Sequence, residues 1–153
     1  FQMRVVIQKV TQASVSVDNN VVGQIDGGLL VLFAVNVADN IAEMDWLVQK
    51  IVNLRIFEDA DGVMNRSVLD EQGNILVVSQ FTLYAKTKKG NRPSYIDSAK
   101  SDVAIPVYNM FVDKLSVALG RKVQTGIFGA DMQVSLVNNG PTTIIIDTLN
   151  KDI

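Results

Sequence analysis

Any chemistry in this chain proceeds without histidine or cysteine, because it contains neither. That removes the commonest general base, every Ser-His or Cys-His nucleophilic pair, any thiolate and any disulfide. Carboxylates, hydroxyls, amines, backbone groups and the substrate itself remain. The first candidate stretch is Ser79-Gln80-Phe81-Thr82-Leu83, where an otherwise apolar segment carries three hydrogen-bonding side chains in four positions. On spacing alone the commoner reading is a strand leaving the core, its polar groups bonded to neighbouring backbone. The functional reading is a pocket wall whose backbone N–H groups meet a developing oxyanion, a task that needs no titratable side chain. Period-two alternation would place Gln80 and Thr82 on one face and Ser79 and Phe81 on the other.

The second stretch is Asn138-Asn139-Gly140-Pro141-Thr142. A hairpin turn is the default for such a sequence. A cis Gly140–Pro141 bond would instead aim two successive carbonyls the same way, a rigid pair of acceptors able to test the handedness of a ligand by exclusion. The third stretch gathers Lys86, Lys88, Lys89 and Arg92, flanked by Tyr84 and Tyr95. It reads either as a solvated basic loop or as phosphate contact with base stacking. The fourth is acidic: Glu58, Asp59, Asp61, Asp70 and Glu71. Its spacing lacks the alternating ligands and twelfth-position glutamate of a calcium loop, so these are read as turn residues and no metal or other cofactor is expected.

Two helices and about seven strands must position these groups. Residues 4–10 (RVVIQKV) and 13–17 (ASVSV) read as strands, and Asp18-Asn19-Asn20 as the turn into a third at residues 21–25. Residues 29–37 (LLVLFAVNV) form a nearly continuous apolar run after two glycines, as in a central strand. Residues 39–55 change to helical period through Ile41, Met44, Leu47, Val48, Ile51 and Leu54, with Asn40 and Glu43 as a capping box. Residues 55–58 read as a short strand, 59–62 as a turn, 65–73 as loop and 75–85 as one long strand. A second helix is expected over residues 103–119, with Pro106 tolerated only in its first turn and Gly120 as its cap. Residues 132–137 and 142–147 complete the set as two strands. The expected fold is α/β of the α+β type: a curled, mainly antiparallel sheet or small barrel with two helices packed on it.

The chain has 153 residues, 48% of them apolar and 20% charged, which suits one globular domain over residues 3–153. Phe1-Gln2 ahead of Met3 is read as a remnant outside the natural chain. A net charge of −2 gives no global attraction for a polyanion, so nucleic-acid contact would need a local patch. No apolar run is long enough for a membrane span and no signal peptide is visible, so a soluble cytoplasmic protein without membrane contact is expected.

Three stretches, read together, closely resemble the D-aminoacyl-tRNA deacylase family: SQFTLYA at residues 79–85, GADMQVSLVNNGPTT at 129–143 and MRVVIQKV at 3–10. RIFED at 55–59, Met64-Asn65 and Arg92-Pro93-Ser94 fit the same register, so the likeness spans essentially the whole chain. The resemblance implies a homodimeric hydrolase that releases D-amino acids, and glycine, from aminoacylated tRNA while sparing L-aminoacyl-tRNA, without a metal. It implies that Ser79, Gln80, Phe81 and Thr82 line the active site. It further implies that a cis Gly140–Pro141 reaches into the partner's pocket, with Lys9 and Met132 at the substrate and the basic loop on RNA. The family usually has arginine at the place of Lys9, where it is thought to help hold the Gly-Pro motif, and lysine lacks the planar fork for a bidentate contact.

Without histidine, substrate-assisted hydrolysis is attractive: a neighbouring ribose 2′-hydroxyl helps to activate water, while the protein positions the ester and stabilises its oxyanion. Thr82 as a nucleophile is the weaker alternative, since a threonine hydroxyl needs an activating base. The rival readings are a nucleic-acid-binding module without catalysis, like the relatives described as binding DNA-unwinding elements, a structural dimer, and editing of another amino acid.

Overall fold

The computed structural model describes residues 2–36 and 43–153. Its elements in chain order are β1 (Gln2–Val17), β2 (Asn20–Ile25), β3 (Gly28–Asn36), α1 (Glu43–Asn53), β4 (Phe57–Glu58), β5 (Met64–Arg66) and β6 (Asn74–Ser79), then a 3-10 turn (Phe81–Tyr84), α2 (Ser101–Leu119), β7 (Gln124–Thr125) and β8 (Gln133–Asp147). Six strands form one sheet in the order β2-β1-β3-β6-β7, with β8 also on β1; β4 and β5 form a small second sheet.

β1 organises the fold. The two strands expected at residues 4–10 and 13–17 are one strand of 16 residues, and Gln2 is already paired within it, opposite Asn36. β8 runs antiparallel along nearly its whole length. β3 pairs with its first part and β2 with its last. β6 lies parallel to β3, and β7 parallel to β6. The sheet then curls until β2 faces β7. Gly23 permits that approach, because a Cβ there would stand 2.4 Å from the Thr125 carbonyl oxygen.

The continuous apolar run in β3 is explained by burial on both faces. Leu29, Val31, Phe33 and Val35 pack toward α1 and α2 with Leu47, Ile51, Phe111 and Leu115. Leu30 turns the other way, into the curl, with Val10, Val15, Ile25, Leu76 and Val78. In α1 the expected stripe of Met44, Leu47, Val48 and Ile51 is buried; Asn40 and Ile41 lie outside the described residues. In α2, Pro106 sits in the second turn, not the first, with its face exposed. Gly120 caps α2 in the left-handed region at φ 82°, its N–H bonding to the carbonyls of Ser116 and Val117.

Three expectations are corrected. The strand expected over residues 75–85 ends at Ser79, so the alternation assigned to Gln80 and Thr82 does not apply beyond that point. Residues 132–137 and 142–147 are not a hairpin, because both halves of β8 pair with the same strand in the same direction. Residues 64–66, expected within or beside loop, pair as a short strand with β4. Among the described residues no helix is long and apolar enough to cross a membrane.

Candidate active site

β3 and the parallel β6 both end at one rim of the sheet, and a cleft of about 590 Å³ opens there. Crevices at the carboxyl ends of parallel strands are the usual place for ligands. Its walls are the end of β3 at Phe33, Ala34 and Val35, the exit of β6 at Ser79, Gln80 and Phe81, the entry to α2, and the segment from Phe128 to Met132. Ser79, Gln80, Phe81 and Met132 thus come together in its lining, whereas Thr82 is not part of it. Gly126 leaves room for Met132, since a Cβ there would fall 2.5 Å from its sulfur.

The chain turns at Gln80 because the ladder runs out. The Gln80 N–H makes the last bond to β3, donating to the Phe33 carbonyl at 2.8 Å. The following 3-10 turn closes with Leu83 N–H donating to Gln80 at 3.2 Å and Ala85 N–H donating to Thr82 at 3.1 Å. The N–H groups of Phe81 and Thr82 precede the first closing bond and have no acceptor in the turn. Side chains grip the turn from several sides. The Gln80 amide donates to the Thr82 hydroxyl. The Ser98 hydroxyl donates to the Phe81 carbonyl at 2.8 Å, and Arg4 Nη1 donates to the Leu83 carbonyl at 2.9 Å. The Phe81 ring, 54% exposed, meets the edge of Tyr95 with centroids 5.0 Å apart.

Arg4 is itself held. Its Nε donates to Asp147 Oδ2 at 2.8 Å, and its guanidinium lies 4.8 Å from the centre of the Tyr84 ring. Gln2 donates to both oxygens of Asp147, at 2.9 and 3.1 Å, and the Leu149 and Asn150 N–H groups bond Oδ1. Burial pushes the Asp147 carboxyl up, but the hydrogen bonds from Gln2, Leu149, Arg4 and Asn150 outweigh it and hold the group below the ordinary carboxylate value. Burial, with the Asp147 charge adding to it, drives the Tyr84 hydroxyl well above its ordinary value. Tyr84 is therefore buried under Arg4 and cannot stack a base, which corrects the pairing of Tyr84 with Tyr95 as flanking platforms. Sequence reasoning missed Arg4, Ser98 and Asp147; an aspartate closing the apolar run Ile144-Ile145-Ile146 was the available signal.

The second motif is a wide bulge. Gln8 pairs with Thr143 and Val10 with Asn138, so Lys9 alone stands opposite residues 139–142. The Asn138 amide braces the bulge by donating to the carbonyls of Lys9 and Thr142 at 3.1 and 3.0 Å. Gly140 takes φ 116°, which disfavours any L side chain. No described peptide bond is cis, so Gly140–Pro141 is trans, against expectation; β8 continues in one direction through the bulge, and no reversal calls for the other isomer. Gly140 and Pro141 are exposed and do not line the cleft of their own chain. Lys9 is buried beneath them, donating to the Ile56 carbonyl at 3.1 Å, and a Cβ on Gly140 would stand 3.5 Å from its Nζ. The nearby Thr142 hydroxyl is buried without a partner among the described residues.

The basic loop is closed by reciprocal backbone bonds between Lys86 and Ser94. Lys86 pairs with Asp97 at 3.0 Å, while Lys88, Lys89 and Arg92 are exposed and lie outside the cleft lining. Lys100 and Asp131, neither singled out as a site residue from sequence, are the charged residues that do line it. The acidic group does turn work: Asp59 Oδ1 accepts from the Asp61 and Val63 N–H groups, and Asp70 and Ser67 cap each other. Among the described residues no cluster could hold a metal ion.

Residues 6–147 match the family described as D-Tyr-tRNA(Tyr) deacylase. Over 150 residues, 98% of this chain and all of the relative, the chain is 60% identical to a D-aminoacyl-tRNA deacylase of Flavobacterium psychrophilum. A protein of the same name from Bacteroides fragilis is 57% identical over the same span, again covering all of that relative. Among solved structures, one named c-Myc DNA Unwinding Element Binding Protein superposes with a TM-score of 0.88 at 39% identity, covering 94% of this chain and 97% of that one.

Proposed function

The chain belongs to the D-Tyr-tRNA(Tyr) deacylase family, and from that premise we propose a hydrolase that frees tRNA of D-amino acids by main-chain catalysis at the cleft beside the 3-10 turn. The single observation that carries this is the start of the 3-10 turn, where Phe81 lines the cleft and its N–H and that of the adjoining Thr82 have no acceptor among the described residues, in a chain devoid of histidine. Water adds to the ester carbonyl carbon, the carbonyl oxygen takes negative charge, and the bond to the ribose oxygen breaks. That oxygen leaves with a proton, giving free amino acid and tRNA. Fixed N–H donors stabilise the charged intermediate, and loss of one such donor typically lowers the rate about 10²–10³-fold. The 2′-hydroxyl of the terminal ribose supplies the polar group nearest the ester that the protein does not provide.

The working unit is a homodimer, in which the Gly140–Pro141 bulge of one subunit enters the partner's cleft. The exposure of that bulge and its place outside its own cleft support this arrangement. The bulge is then the wall that excludes an L side chain. Glycine, having none, is accepted. The exposed Lys88, Lys89 and Arg92 meet the tRNA phosphates. The setting is the cytoplasm, where charged tRNA is used.

The test is to incubate the protein with D-Tyr-tRNA and with the same tRNA ending in 2′-deoxyadenosine. Hydrolysis of the first and a large loss on the second support the mechanism; equal rates on both would remove the substrate hydroxyl from it. A second reading, a DNA-binding module, is favoured by the likeness to the 39%-identical protein named for binding a DNA unwinding element, and by the same exposed basic loop. Tight binding to duplex DNA together with intact D-Tyr-tRNA after incubation would select it.

A further inference from the structure

We infer that Ser98 is a positioning residue that sets the direction of the Thr82 N–H through the peptide bond it shares with the Phe81 carbonyl. This rests on the deacylase reading above. A peptide unit is planar, so the carbonyl of Phe81 and the N–H of Thr82 point in opposite directions and turn together. The Ser98 hydroxyl donates to that carbonyl at 2.8 Å from a position 17 residues further along the chain. It thus adds a hold on that plane from outside the turn, by a residue that is no part of the 3-10 element.

Ser98 is in turn firmly seated. It bridges Asn36 at the end of β3, its N–H donates to the Tyr95 carbonyl at 3.0 Å, and the next residue, Ala99, donates to the Val35 carbonyl at 2.9 Å. Both Ser98 and Phe81 line the cleft. The hydroxyl has a second consequence: a carbonyl already accepting a hydrogen bond polarises its peptide and strengthens the N–H at the other end as a donor. Position 98 therefore links the rim of β3 to the strength and aim of one oxyanion donor, without touching the substrate ester.

The experiment compares steady-state deacylation of D-Tyr-tRNA by wild type, Ser98→Ala and Ser98→Thr, with thermal melting of each as a folding control. Ser98→Ala is expected to lower kcat about three- to tenfold, the range of one hydrogen bond, with KM unchanged within about twofold. Ser98→Thr, which keeps the hydroxyl, is expected to restore kcat. Backbone amide exchange at Thr82 should quicken in Ser98→Ala alone. An active wild type with an equally active Ser98→Ala overturns the inference and leaves the deacylase reading standing. A loss that appears only in KM, or that Ser98→Thr fails to restore, overturns it as well. A wild type that leaves D-Tyr-tRNA intact overturns both.

Discussion

Two strands of this molecule are interrupted, and the interruptions differ in where their partners come from. At the end of β6 the 3-10 turn is held by its own chain, through Ser98, Gln80 and the Arg4–Asp147 pair. Within β8 the 139–142 bulge is braced at its base by Asn138, yet its tip is exposed, and beneath it Thr142 has no partner among the described residues. A group that must aim at a developing charge is built rigidly in one chain. In the proposed function the bulge acts by exclusion, which asks only that it stand in the way, with its remaining contacts supplied by a second subunit.

The largest effect expected is on the turn. Arg4→Met leaves the buried Asp147 without its cation and the Leu83 carbonyl without its donor. It should destabilise the fold by about 2–3 kcal/mol, less than a fully buried pair because Arg4 is partly exposed, and should depress kcat beyond that loss. Urea denaturation and turnover measure the two separately, and unchanged values in both would show that the turn does not depend on this pair.

Next comes the bulge. Gly140→Ala forces a side chain into φ 116° and places its Cβ 2.9 Å from the Thr142 hydroxyl. A loss of about 1–3 kcal/mol is expected from backbone strain, with altered discrimination between D and L substrates. Loss of stability with the discrimination intact would separate the bulge from the filter.

Acid should act on the turn before the bulge. Asp147 has a folded pKa below its unfolded value, so its contribution is fully present above about pH 4 and is lost as pH falls through the lowered folded value. Asp147→Asn should remove that part of the acid dependence; an unchanged acid limb in a stability titration would exclude it.

Smaller still, alanine at Lys88, Lys89 and Arg92 together should raise KM and flatten its salt dependence while leaving kcat in place. The smallest effect is expected for Thr82→Ala, since the main-chain N–H survives; complete loss of activity with intact folding would instead make the hydroxyl a nucleophile.

How far these two regions could be read from sequence follows the same division. The motifs were visible as polar residues in apolar surroundings, and Ser79, Gln80, Phe81 and Met132 do meet at one cleft. Alternation misled at residues 80–85, because period two describes a strand only while neighbouring strands last, and the β3 ladder ends at Phe33 opposite Ser79. Turn chemistry misled at residues 138–142: Asn, Gly and Pro suit a bulge as well as a hairpin, and only the pairing of both halves of β8 with β1 decides between them. Arg4, Ser98 and Asp147 are separated by most of the chain, and no local pattern joins them. The two helices and the buried β3 were legible because their periodicities reflect burial on one face and on two.

The most direct test of the whole account compares hydrolysis of D-Tyr-tRNA, Gly-tRNA and L-Tyr-tRNA under identical conditions. Release from the D and glycyl substrates, with the L substrate slower by at least about a hundredfold, is the predicted result, equivalent to roughly 2.7 kcal/mol of discrimination. Comparable rates on D-Tyr-tRNA and L-Tyr-tRNA would contradict it.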